Sequence, residues 1–418
     1  MINDGKIIFG AYTPLVYDFD TIEEQLIDFK TAGMNFAVFE HGFDNFTKEQ
    51  RKAVFDLCGK YGIDAIYFDH DIMKRVEVMG SDAAKMFDAP KADGCDYYKD
   101  SEGFSGHMFV DEPGTEHFDE LGKTVADYYK MFPGKCAYIN LLPMYANKYQ
   151  LTGGAWMSKI EYYDTSDATF QKYLDEYVEK VPTPYICTDI YPCHNSNGEK
   201  TTYNNYIKSI EITADTAKRA GKDFWCCVQT CSWSSSIRIP NEADFRWQLY
   251  VLLSYGAKAF FYYIYAYRQD NHVGMCVNKD LSKNEMYNIS LRTLQEIKRF
   301  EDVYLSYENL GAYSHNYSDE VPYLRMDNPY KGYSPVTEIV CEDPLLIGAF
   351  KKKDGSSYAF TLVNMSELAH EKTAYAKVKI DGKKVIAYHS GFPCEIKPVD
   401  GYYNFKLTTG DGIFVTVE

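Results

Sequence analysis

The stretch Gly106-His107-Met108-Phe109-Val110-Asp111-Glu112-Pro113-Gly114 decides how this chain reads. An apolar run ends in two adjacent carboxylates, Pro-Gly stops it, and a segment with helical spacing follows from Thr115 to Phe132. A strand that finishes in Asp-Glu at a strand-to-helix turn sets acid-base groups where α/β folds place their chemistry. Two carboxylates at such a point are the usual equipment for cleaving a glycosidic bond. The same dipeptide in a surface loop would mean little, so its flanks have to be read with it.

Working outward, short apolar runs alternate with amphipathic helical patterns. Ile7–Pro14 precedes Thr21–Gly33, where Ile22, Leu26 and Phe29 recur at helical spacing. Asn35–His41 precedes Thr47–Tyr61, whose Thr47 and Gln50 form a capping-box pattern. Ile63–His70 is the third run, and the connection from Asp71 to Gly103 holds too many Asp, Lys and Gly residues for one regular helix. After Gly106–Glu112 come Cys136–Leu142 with a helix over Asp167–Lys180, Tyr185–Tyr191 with Tyr203–Ala220, and Asp223–Trp233 with Glu242–Tyr255. Lys258–Tyr265 with Tyr287–Leu305 makes the eighth unit. Eight strand-helix units with strands apolar on both faces predict a parallel (β/α)8 TIM barrel over residues 1–308. An open doubly wound sheet would want a glycine-rich phosphate loop after its first strand, and none stands there.

From about Asn309 the helical periodicity stops. Short strands succeed one another at turn signals: Leu345–Lys351, Ser357–Val363, Ala374–Ile380, Val385–Tyr388, Tyr402–Leu407 and Ile413–Val417. Lys353-Asp354-Gly355 and Ile380-Asp381-Gly382 are hairpin-turn candidates. Residues 309–418 therefore read as a small antiparallel β-sandwich.

Composition narrows the partners. The 418 residues carry 44 Lys+Arg against 60 Asp+Glu, a net charge of −16, and the one basic run, Lys351-Lys352-Lys353, is short. Nucleic acid and anionic membrane are poor partners for such a surface, and no apolar stretch is long enough to span a bilayer. The 38 tyrosines suit sugar rings, which need a flat apolar face and a hydroxyl, and they also fill large cores. Met1 to Lys6 shows no leader pattern, and the 11 cysteines have no regular spacing. A cytoplasmic location is the expectation, with export from a longer precursor left open.

At the strand ends, where barrel chemistry gathers, stand Tyr12 and Thr13, Glu40 and His41, Asp69, His70 and Asp71, then Asp111 and Glu112. Tyr138 and Asn140, Asp189 and Tyr191, Gln229 and Trp233, and Tyr263 and Tyr265 complete the circle. Neighbours in a regular strand point to opposite faces, so Asp111 and Glu112 share a site only where the strand unwinds, an irregularity that Pro113-Gly114 supplies. Glu112 is the expected general acid and Asp111 the residue that orients a neighbouring group or stabilises positive charge. The competing use of either carboxylate is to cap the helix beginning at Thr115.

The chain resembles a glycoside hydrolase with a (β/α)8 barrel and a trailing β-sandwich. Its Val110-Asp111-Glu112-Pro113 string is similar to the Asp-Glu pair of substrate-assisted hexosaminidases, notably family 123 β-N-acetylgalactosaminidases. The resemblance implies that the substrate's own acetamido oxygen is the nucleophile, that Asp111 holds the acetamido group, and that Glu112 is acid and then base. A protein nucleophile on the seventh strand would be the rival scheme for plain hexosides, but Phe224 to Trp233 contains no carboxylate, leaving Asp189 or Glu40 as substitutes. Tyr138, Asn140, Asp189, Tyr191 and Gln229 are the expected polar contacts to a carbohydrate. Trp233, Tyr263 and Tyr265 are the expected apolar floor, or packing in the barrel mouth. No cofactor is called for.

Two other classes stay open. Glu40-His41 and Asp69-His70-Asp71, with Asp111 and Asp189, could ring a divalent metal as in barrel isomerases and amide hydrolases. A barrel that binds a glycan without cleaving it is the other, in which Tyr402 and Tyr403 of the sandwich would be exposed sugar platforms.

Overall fold

The computed structural model describes residues 5–40, 42–69, 92–155, 165–196, 198–268, 271–316, 328–332, 334–369 and 371–418. Eight parallel strands form the barrel: β1 (Ile8–Tyr12), β2 (Phe36–Phe39), β3 (Asp64–Tyr67), β4 (Phe104–Asp111), β5 (Cys136–Asn140), β6 (Tyr185–Thr188), β7 (Asp223–Gln229) and β8 (Ala259–Tyr263). They lie in the order β5-β4-β3-β2-β1-β8-β7-β6. The ring closes between β5 and β6 through a parallel bridge, Leu141 to Thr188, with the Leu141 amide donating to the Cys187 carbonyl at 2.9 Å.

Helices α1 (Ile22–Thr31), α2 (Lys48–Lys60), α3 (Phe118–Met131), α4 (Lys148–Gly153), α5 (Asp167–Lys180), α6 (Tyr206–Arg219), α7 (Glu242–Ser254), α8 (Glu285–Lys298) and α9 (Glu301–Leu305) complete the barrel. Thr47 and Gln50 form the capping box of α2 that the sequence predicts. No helix of the described residues is long and apolar enough to cross a membrane.

Strand alternation sorts the barrel core into two layers. Tyr12, Val38, Met108, Tyr138, Cys187, Trp225 and Phe261 fill the interior, while Ala11, Phe39, Phe109, Ile139, Ile186, Cys226 and Tyr262 join the cluster shared with the helices. Gly10 lets the Phe261 ring cross the barrel, since a Cβ there would lie 2.5 Å from it. A hairpin, Cys193–Ser196 with Glu199–Thr202, is inserted between β6 and α6. Ten cysteines are buried and Cys394 is exposed, all as free thiols.

The chain then enters an antiparallel assembly of β9 (Tyr307–His315), β10 (Val336–Val340), β11 (Leu345–Lys352), β12 (Tyr358–Asn364), β13 (Ala374–Ile380), β14 (Val385–His389), β15 (Phe392–Ile396), β16 (Tyr403–Leu407) and β17 (Gly412–Val417). A six-stranded sheet, β9-β11-β12-β17-β14-β15, faces a three-stranded one, β10-β13-β16. A core including Ile347, Phe360, Val378, Phe405 and Val415 lies between them.

The other face of the large sheet packs on α7. Ser254 Oγ and Thr361 Oγ1 are 2.6 Å apart, Trp247 Nε1 donates to Met365 Sδ at 3.3 Å, and Arg246 bridges Glu296 and Asp411. Tyr403 belongs to the sandwich core and Tyr402 donates to Glu338, so these two do not form an exposed aromatic platform.

Candidate active site

Two local devices bring both carboxylates of the Asp-Glu pair to the barrel mouth. The first is a β-bulge in β4. Its register on β5 shifts between Met108 and Val110, so Met108 opposes Tyr138 but Asp111 opposes Asn140. Phe109 and Val110 both face the helix layer in consequence, and the alternation restarts with Asp111 toward the interior. Without the extra residue Asp111 would point outward.

The second device is the backbone of Glu112, which is left-handed with φ 49°. A non-glycine residue holds that conformation at a cost of about 1–3 kcal/mol and only where its surroundings impose it. They do so here. The Glu112 amide donates to the Asn140 carbonyl at 2.8 Å, and the Glu112 carbonyl accepts from the Ala155 amide at 3.1 Å. Tyr173 Oη donates to the Pro113 carbonyl at 2.7 Å. Gly114 lies against the end of α4 so closely that a Cβ would meet Thr152 O at 2.2 Å. The following turn is capped by Gly114 without a side-chain bond, so neither carboxylate serves as a helix cap.

Above the barrel lies a cavity of about 320 Å³ lined by Tyr12, Glu40, Asp111, Glu112, Asn140, Tyr145, Asp189, Tyr191, Trp233, Tyr263 and Arg268. Asn140 Nδ2 donates to Asp111 Oδ1 at 3.0 Å and to Asp189 Oδ1 at 3.1 Å, fixing both carboxylates with one amide. Glu112 hydrogen-bonds Asp189. Burial first, then the charges of Asp189 and Asp111, push the Glu112 carboxyl well above the usual carboxylate range. Asp189 is also raised, to about 7, by burial and then by Asp111, against the opposing bonds from Asn140 and Tyr191. Carboxyl groups this close share a proton rather than ionise together. The arrangement sets two carboxyl groups whose ionisation is opposed, Glu112 and Asp189, beside the accessible side chain of Asp111.

Aromatic rings make one side of the cavity. Trp233 stands 4.9 Å from Tyr191 and 5.2 Å from Tyr263, and Tyr191 is 5.4 Å from Tyr263, all ring centroid to centroid. On another side Glu40 accepts from Thr13 Oγ1 at 3.0 Å and pairs with Arg268 Nη1 at 3.5 Å. Tyr12 floors the cavity, and its hydroxyl meets that of Tyr138 below it at 3.1 Å across the barrel.

Of the residues expected from the sequence, Glu40, Asp111, Glu112, Asn140, Asp189, Tyr191, Trp233 and Tyr263 come together here. Tyr138, Gln229 and Tyr265 do not line the cavity. Tyr138 lies one layer deeper, bonded to Tyr12 and Cys187. Gln229 is fully buried and clamps the turn after β7, accepting from the Cys193 amide and donating to the carbonyls of Cys193, Cys231 and Arg238. Tyr265 lies past the end of β8, where strict alternation no longer holds, and packs on Phe29 in the helix layer.

Asp69 takes the outward phase of β3 and accepts from Tyr98, so it does not join Asp111 and Asp189. His41, His70 and Asp71 of the metal arrangement lie outside the described residues. Tyr145 and Arg268 line the cavity without having been singled out in the sequence. Both sit in irregular segments beyond their strands, where period carries no information.

No family model and no curated protein sequence matches this chain. Solved structures resemble it in fold. A catalytic mutant of a GH42 β-galactosidase from G. stearothermophilus matches over 99% of this chain and 98% of its own, with TM-score 0.56 and 9% identity. A β-galactosidase from Bacillus circulans sp. alkalophilus matches over 100% of both chains with TM-score 0.51 and 10% identity. A β-galactosidase from the psychrophilic Marinomonas ef1 has TM-score 0.45 and 12% identity; this chain spans 62% of its length, less than two thirds, and 72% of this chain is covered. At these identities the likeness concerns architecture: a TIM barrel followed by β-sheet structure.

Proposed function

We propose that this protein is a retaining glycoside hydrolase that cleaves a β-linked N-acetylhexosamine with the substrate's acetamido oxygen as nucleophile. The observation that carries the reading is the pairing of half-buried Glu112 with buried Asp189 beside the cavity-facing Asp111, on a barrel whose structural neighbours bear glycosidase names. Glu112 donates its proton to the glycosidic oxygen as the C1–O bond breaks, and the acetamido carbonyl oxygen bonds to C1. Asp111, oriented by Asn140, accepts from the acetamido N–H and stabilises the positive charge of the cyclic intermediate. Glu112, now ionised, takes a proton from water, whose oxygen attacks C1 and regenerates the acetamido group with retained configuration.

Two features favour substrate assistance over a covalent protein nucleophile. β7 ends in Gln229, which is engaged with backbone, and carries no carboxylate to the cavity. Asp189 is bonded to Glu112 and Asn140, and Glu40 to Thr13 and Arg268. A second reading rests on Asp111 alone: facing the cavity, it is placed to attack C1 of a plain hexoside directly. Hydrolysis of chromogenic glycosides with and without the 2-acetamido group, by wild type, Glu112→Gln and Asp111→Asn, in chelator and without, separates these readings. Cleavage confined to acetamido sugars, dependent on Glu112 and indifferent to chelator, is the expected result. Full activity of either variant removes the proposal, and cleavage of plain hexosides gives Asp111 the nucleophile's role.

A further inference from the structure

Opposite the proton-transferring carboxylates lies a charged pair that their chemistry leaves unused. In a closed ring of eight strands β2 stands across from β6 and β8 across from β4. Glu40 follows β2 and Asp189 follows β6; Arg268 lies beyond β8 and Glu112 at the end of β4. The Glu40–Arg268 pair is thus diametrically opposed to the Glu112–Asp189 pair across one small cavity. Both side chains are held back from water, with 11% and 30% exposure for Glu40 and Arg268.

We infer that Glu40 and Arg268 form a clamp for adjacent hydroxyls of one terminal sugar ring, so that the enzyme releases single residues from the non-reducing end. The inference rests on the glycosidase reading above. A sugar hydroxyl both donates and accepts, and adjacent hydroxyls project side by side from the ring. A carboxylate beside a guanidinium offers an acceptor and a fork of donors at matching spacing. The cavity volume of about 320 Å³ sits at the lower end of the roughly 300–1,000 Å³ typical of ligand sites. It has a floor in Tyr12 and an aromatic side in Trp233, Tyr191 and Tyr263. A ring whose anomeric carbon lies at Glu112 directs its far hydroxyls toward Glu40 and Arg268. A further sugar on that side would have to displace the ion pair.

The test uses whichever p-nitrophenyl glycoside the panel shows to be cleaved, together with its 3-, 4- and 6-deoxy analogues. Wild type, Glu40→Gln and Arg268→Met are compared, with folding checked by thermal unfolding. Wild type should lose about 100-fold or more in kcat/KM on at least one deoxy analogue, as sites built around a hydroxyl do. Each variant should lose a similar factor on the parent glycoside yet be nearly indifferent to removal of that hydroxyl, the non-additivity of two groups in contact. Equal losses on parent and analogue would reduce the pair to a structural role. Internal cleavage of a p-nitrophenyl trisaccharide glycoside blocked at its non-reducing end would equally overturn the clamp. Wild type that cleaves no glycoside removes the glycosidase reading and the clamp with it, whereas cleavage with additive losses removes the clamp alone.

Discussion

Asp189→Asn should move the alkaline limb of the pH–rate profile to lower pH while sparing the activity on its acid side. Burial, and next the Asp189 charge, oppose the ionisation of Glu112. The substitution removes that charge but keeps the side-chain volume and an oxygen to accept from Asn140, which bonds Asp189 Oδ1 at 3.1 Å. Two unit charges about 4 Å apart at an effective dielectric of about 20 interact by about 4 kcal/mol. At about 1.4 kcal/mol per pKa unit this sets a ceiling of about three pH units on the displacement. Asp189 is itself raised to about 7 and carries only part of its charge over the relevant range, so the limb should fall by about 1–2 pH units.

With a negative neighbour gone, Glu112 ionises more readily, so the proton donor is lost at lower pH and the limb can move only in that direction. Initial rates at saturating substrate between pH 4 and 9 read the ionisation in the bound complex. An unmoved or raised limb would refute the coupling. Loss of activity at every pH, with the limb in place, would make Asp189 a direct participant in bond cleavage.

Three further outcomes test the same structure. Glu112→Gln should unfold at a higher temperature than wild type at pH 8, with the gain vanishing below about pH 4–5. A carboxyl raised in the fold gives its full stability only below its unfolded pKa. It loses about 1.4 kcal/mol for each pH unit climbed from there to its folded pKa, and glutamine mimics the protonated form. Gly114→Ala should destabilise by about 1–3 kcal/mol or more, because its Cβ would meet backbone atoms, Thr152 O at 2.2 Å and Gly154 N at 2.3 Å; denaturant titration measures it. His107, fully buried between the hydroxyls of Tyr98 and Tyr128, is pushed down to about 3 by burial. The unfolded chain therefore takes up a proton below about pH 6.5 that the fold refuses. Wild type should lose up to about 5 kcal/mol from this residue between pH 6.5 and 3, and His107→Phe, less stable overall, should show a flatter slope in that window.

Much of the barrel was legible because parallel strands buried on both faces are written as apolar runs, and each of the eight runs contains or overlaps an observed strand. α5 covers the same residues that its periodicity marks, Asp167–Lys180. Three strands of the sandwich carry weaker signals. β15 is an edge whose residues are largely exposed, β9 mixes burial classes along its length, and β10 buries only Val336 and Ile339. In the candidate site, residues in phase with their strands were readable: Glu40, Asn140 and Asp189 lie where alternation puts them. Gln229 and Tyr265 were misplaced because turn geometry, not strand period, directs their side chains. Tyr138 keeps the interior phase of β5 but lies one layer too deep. The bulge at Phe109 was invisible too, since one extra residue in an apolar run changes neither composition nor length noticeably.

That bulge explains how both residues of an Asp-Glu dipeptide reach the barrel mouth at this strand end. A regular β4 would send Asp111 outward, and a regular backbone at the next residue would separate the two side chains by half a turn of the pleat. The bulge corrects the first and the left-handed Glu112 the second. Each correction is locally unfavourable and needs backing from outside the strand. β5 supplies it through Asn140, whose carbonyl holds the Glu112 amide while its side chain spans Asp111 and Asp189. Segments after β5 supply the rest, with Ala155 on the Glu112 carbonyl, Tyr173 on the Pro113 carbonyl and the end of α4 against Gly114. Asp111 and Glu112 are therefore positioned chiefly by the neighbouring strand and the segment following it. Substitutions at Asn140 or Tyr173 should accordingly disturb the chemistry as surely as those at the carboxylates themselves.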